Sequence, residues 1–105
     1  MSVIVTVRMQ GDPSRLEQIA SQDPDRLISI GERAKSHGVI AHRFYASDGQ
    51  ILVIDEWPDG ESFQTFFGQA SDQIQPLMQD AGATSEPEVA IWRKLETGDD
   101  IGWGA

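Results

Sequence analysis

An Asp-Gly pair at positions 48 and 49 lies between two strand-like runs, residues 40–46 and 51–57. Asp-Gly flanked in this way is the strongest short-range signal for a two-residue β-hairpin. Such a turn pairs Ser47 with Gln50 and sets the register of both strands. His42 then stands directly opposite Asp55. Because side chains alternate along a strand, Ile40, Phe44, Val53 and Trp57 share the face of that pair. A histidine and a carboxylate therefore meet on an apolar, aromatic-lined surface.

The rest of the chain divides around this hairpin. Residues 3–9 are rich in β-branched side chains and predict a first strand, ended by Gly11. Asp12-Pro13 is an N-cap followed by a proline at the first helical position. Leu16, Ile19, Ala20, Leu27, Ile30 and Ala34 recur at helical spacing. Asp23-Pro24 interrupts that stripe with a second cap-plus-proline signal. The pattern predicts a short helix to about Gln22 and a longer one from Pro24 to about Ser36, closed at Gly38. After the hairpin, Pro58-Asp59-Gly60 turns into a second amphipathic segment carrying Phe63, Phe66, Phe67, Ala70, Ile74, Leu77 and Met78. Pro76 is expected to kink or restart it, with Ser71 or Asp72 as the fresh cap. Residues 89–95 predict a fourth strand.

This order, β-α-β-β-α-β, is the split βαβ of the α+β ferredoxin-like fold, an antiparallel four-stranded sheet with its helices on one face. One domain over residues 1–95 suits a chain of 105 residues. Residues 96–105 form an acidic, glycine-rich tail, and Ile101 and Trp103 are expected to dock it on the body or on a partner chain. The sheet face away from the helices would mix Thr6, Arg8, Arg43, Tyr45 and Glu56 with Ile4, Leu52 and Ile54. That mixture is too apolar to leave in water, and back-to-back pairing of two sheets in a homodimer covers it.

The net charge of −9 disfavours phosphate backbones and anionic lipid, so neither nucleic acid nor a membrane is an expected partner. No run is apolar enough to span a bilayer, and nothing resembles a signal peptide. With no cysteine in the chain, disulfides and thiolate chemistry are excluded and a cytoplasmic location is expected. Two histidines at unrelated positions suggest no metal site.

Val53-Ile54-Asp55-Glu56-Trp57, followed by Glu61-Ser62-Phe63-Gln64-Thr65-Phe66-Phe67, is similar to a strand ending in an acidic residue and Trp and a helix opening with an acidic residue and Phe. That motif, with the element pattern over residues 3–95, resembles the dimeric α+β barrel superfamily. Its members include cofactor-free antibiotic-biosynthesis monooxygenases, haem-degrading monooxygenases and stress-responsive barrel proteins. The haem-degrading members carry an iron-ligating histidine on this helix and an Asn on the first strand. Here Phe66 and Phe67 occupy that helical neighbourhood, and the first strand has no Asn. The resemblance therefore implies no haem, and no cofactor is expected.

Two readings of the pair follow. In one, His42 and Asp55 are catalytic: Asp55 fixes the imidazole tautomer and His42 takes a proton from an acidic carbon or a phenol. A substrate carbanion made in this way reacts with oxygen without a cofactor. Trp57, Phe44, Phe63, Phe66, Phe67 and Met78 would line a pocket for a small aromatic or polyketide-like molecule. In the other reading, the pair is a satisfied cross-strand contact and the aromatics are ordinary core. The chain is then a non-catalytic small-ligand binder or a structural dimeric module.

Overall fold

The computed structural model describes residues 1–103. The elements follow in the order β1 (Val3–Gln10), α1 (Pro13–Gln22), α2 (Pro24–Ser36), β2 (Ala41–Ser47), β3 (Gln50–Trp57), α3 (Gly60–Gln69), α4 (Ser71–Asp80) and β4 (Glu88–Trp92). The four strands form one antiparallel sheet in the order β2-β3-β1-β4. This is the ferredoxin-like arrangement, with each crossover broken into two helices.

The hairpin has the expected register: Ser47 pairs with Gln50 and His42 with Asp55. Its turn differs from the type usually written for Asp-Gly. Only Gly49 takes a positive φ, 64°, whereas a type I′ turn needs one at both central residues. The two-residue count, not the turn type, sets the pairing.

The breaks between helices have different causes. The side chain of Asp12 caps α1 by accepting from the Ser14 N–H at 2.9 Å. Asp23 makes no such cap; its backbone N–H instead closes α1 on the Ile19 carbonyl at 2.8 Å, and Pro24 starts α2. Pro76 is not where the second crossover restarts. The break falls at Ala70, whose N–H ends α3 on the Phe66 carbonyl and whose own carbonyl accepts from Gln73 and Ile74 to begin α4. Ser71 and Asp72 are inside α4 and neither caps it. Pro76 sits within the helix, where its ring removes the bond to the Asp72 carbonyl; Asp72 is exposed, so solvent reaches that group.

Alternation along β1 and β3 puts Val5, Val7, Met9, Ile51, Val53 and Trp57 under the helices, where they are buried with Phe63, Phe66, Ile74 and Leu77. The opposite face keeps Ile4, Tyr45 and Trp92 exposed beside half-buried Leu52 and Ile54. β4 is shorter than the expected span because its partner runs out: Ile4 pairs with Trp92 close to the start of β1. Beyond it, Lys94 holds Asp100 at 2.8 Å. Ile101 and Trp103 are 87% and 89% exposed, so neither docks on its own chain. No helix among the described residues is long and apolar enough to cross a membrane.

Candidate functional site

His42 lies on β2, an edge strand, and points with Asp55 of β3 towards the helices. Its Nδ1 is 2.7 Å from Asp55 Oδ1. The second carboxylate oxygen, Oδ2, accepts from the Trp57 indole N–H at 3.1 Å. Asp55, 5% exposed, is the one buried charged residue among the described residues. Both its oxygens are therefore engaged, as burial of a carboxylate requires. A carboxylate oxygen accepts, so Nδ1 carries a proton, and in the neutral imidazole Nε2 is left with the lone pair. Among the described residues Nε2 has no hydrogen-bond partner, and the His42 side chain is 41% exposed. The Phe44 ring meets the imidazole edge-on at 5.0 Å and restricts its rotation.

The pair faces a cavity of about 560 Å³ between the sheet and the helices. That volume lies within the usual range for small-molecule sites. Of the residues expected around it, Phe44, Phe63, Phe66, Phe67 and Met78 line the cavity beside His42 and Asp55. Trp57 does not. It is fully buried one layer behind, against Phe66 at 5.4 Å and Phe63 at 5.7 Å, and its one polar contact with the site is through Asp55. Phe63 in turn stacks on Phe67 at 5.2 Å. The aromatic residues thus make a stiff floor with the carboxylate set into it.

One wall is absent from the sequence-based expectation. α2 contributes Leu27, Ile28, Ile30, Gly31 and Ala34 to the lining. Leu27, Ile30 and Ala34 were legible only as an apolar stripe, and periodicity does not distinguish a stripe packed on atoms from one bordering a void. Ile28 and Ile40 line the same cavity yet are 57% and 56% exposed, which places them at its mouth.

The other histidine is tied into the scaffold. His37 ends α2; its Nδ1 lies 2.9 Å from the Arg33 carbonyl and its Nε2 3.0 Å from Gln69 Oε1. Arg33 also reaches Gln69 O, Gln73 and Asp72, so the end of α2 is fastened to α3 and α4. Among the described residues no three His, Cys, Asp or Glu side chains gather to hold a metal ion.

No family model and no curated protein matches the chain. Solved structures do. A conserved protein of Methanosarcina mazei Go1 superposes with a TM-score of 0.66 at 20% identity, over 90% of this chain and 94% of that one. A monooxygenase of Streptomyces coelicolor, in complex with nanaomycin D, gives 0.65 at 15% identity, over 91% and 89%. A dimeric ferredoxin-like protein from an uncultured marine organism gives 0.64 at 11%, over 90% and 89%. Identities this low carry the architecture alone. The chain has the ferredoxin-like fold that antibiotic-biosynthesis-type monooxygenases share with conserved proteins of other descriptions.

Proposed function

We propose that the protein is a small cytoplasmic, homodimeric enzyme of monooxygenase type, acting without a cofactor on a small aromatic or polyketide-like substrate. The observation that carries this reading is the chain Trp57 Nε1–Asp55–His42 Nδ1, which ends in a free Nε2 at the wall of an apolar cavity. His42 is the base and Asp55 its orienting partner. Trp57 is a positioning residue acting through Asp55. Phe44, Phe63, Phe66, Phe67 and Met78 enclose the ring system.

His42 Nε2 takes a proton from an activated CH₂ group, leaving its electron pair on carbon. The carbanion reacts with dioxygen, forming the C–O bond of a peroxide anion. The proton returns from His42 to give the hydroperoxide. Loss of water, as the O–O bond and the second C–H bond break, leaves a carbonyl. One CH₂ and one O₂ become C=O and H₂O, so the substrate supplies every electron. An apolar, desolvated cavity favours this sequence by protecting the carbanion from reprotonation by water. The nanaomycin D complex of the Streptomyces coelicolor monooxygenase supports a small-molecule substrate for this cavity.

A second copy is part of this reading: the exposed sheet face with Ile4, Tyr45 and Trp92 pairs with its own equivalent, and the tail seats Ile101 and Trp103 on the partner chain. The catalytic test is oxygen uptake with 1,8-dihydroxyanthrone, with its conversion to the anthraquinone followed by absorbance. Wild type is expected to accelerate both. Folded His42→Ala is expected to lose about 100-fold or more, the usual contribution of a positioned base. Full turnover in that variant would sink the mechanism.

A further inference from the structure

Glycine is, after proline, the residue least suited to a helix interior. Gly31 nevertheless sits in the middle of α2. The fold gives no reason for it. Its φ is not positive, and a Cβ built there would meet no atom within 4 Å. Gly31 lines the cavity, so the open space beside it lies at the cavity's edge. One turn to either side, at helical spacing, stand Ile28 and Lys35, also lining residues. Ile28 is 57% exposed, and Lys35 reaches out to Glu32 at 3.3 Å. Gly31 is thus a gap in a raised rim. Gly68, in α3, has equally open surroundings but is exposed and outside the cavity.

We infer that Gly31 is the size-selecting notch of the substrate site: a fused-ring ligand lies edge-on against the α2 backbone between Ile28 and Lys35, with its reacting end at His42. The inference rests on the cavity being the substrate site. On this inference the notch matters to a ligand long enough to reach from His42 to α2, as three fused rings would be, and not to a single ring held beside His42.

The test is isothermal titration of wild type, Gly31→Ala, Gly31→Leu and Gly68→Ala with 1,8-dihydroxyanthraquinone and with 4-nitrophenol. Gly31→Leu is expected to weaken the three-ring probe about tenfold or more and the single-ring probe less than about twofold. Gly31→Ala moves in the same direction by a smaller step and decides the matter should the leucine variant not fold. Gly68→Ala changes neither affinity, although both alanine variants raise Tm through helix propensity. Equal binding of the three-ring probe by wild type and folded Gly31→Leu overturns the notch while leaving the site intact. Equal loss of both probes in Gly31→Leu also overturns it. Wild type that binds neither probe removes the substrate site itself and the notch with it.

Discussion

Asp55 has two oxygens and a different partner on each, and this division of labour sets what a substitution does. Trp57→Phe keeps the ring that packs on Phe63 and Phe66 but removes the donor to Oδ2. A buried carboxylate oxygen is then left unpaired, at a cost of about 1–3 kcal/mol. Urea denaturation is expected to show that loss with an unchanged m-value. Asp55→Asn acts on the other side. The amide can present an N–H to Nδ1, which favours the Nε2–H tautomer and withdraws the lone pair from the cavity. Long-range ¹H–¹⁵N spectra of His42 read this directly: a protonated Nδ1 in wild type, a protonated Nε2 in the variant. The same tautomer in both proteins would mean that Asp55 does not orient the ring. His42 opposite Asp55 was legible beforehand because a two-residue loop leaves only one parity for the flanking strands. The contact from Trp57 was not. It joins residues two apart on one strand, and only the packing of Phe63 and Phe66 decides which way the indole N–H points.

At the scale of elements, the helix after the hairpin depends on a single exposed cap. Asp59 accepts from the Ser62 backbone N–H at 2.7 Å, and that bond, joined by the Ser62 hydroxyl, holds its carboxyl below the usual carboxylate value. A depressed folded-state pKa means the unfolded chain binds the proton more readily. Asp59 therefore adds stability above its unfolded pKa and loses the contribution as pH falls through the lower folded value. Asp59→Ala is expected to lower Tm at pH 7, with the difference from wild type vanishing in strong acid. A difference that persists there would assign the effect to something other than the charged cap. The sequence showed a turn at Pro58-Asp59-Gly60 but not that Asp59 caps the helix, whereas Asp12-Pro13 was readable as the cap of α1. The break at Ala70 was not, because it lacks a capping side chain and follows from how α3 and α4 fold back over the sheet. The cavity wall of α2 was hidden for a related reason: an apolar stripe states which face is covered, not how closely.

For the whole molecule the question is how much surface the second copy of the proposed homodimer would cover. A sheet of four strands, the longest of 8 residues, measures about 19 Å by 26 Å at the usual strand spacing and rise, an area on the order of 500 Å². Stable interfaces take about 800 Å² from each partner. A projected area understates the accessible surface of a face covered by side chains, so the sheet supplies much of such an interface, and the tail is further apolar surface that adds to it. Ile101 and Trp103 stand 87% and 89% exposed, and Lys94 anchors the start of their segment through Asp100. Two kinds of variant separate the contributions. Ile54→Lys puts a charge on the central outer face and is expected to leave only monomer in sedimentation velocity, with the β-sheet circular dichroism retained. Ile101→Ser/Trp103→Ser leaves the sheet face intact and is expected to weaken the dimer about tenfold or more, since burying either side chain contributes about 1.5–3 kcal/mol. A double variant that associates as tightly as wild type would mean the tail stays free and the sheets hold the dimer alone. Ile54→Lys that remains dimeric would move the interface to another surface.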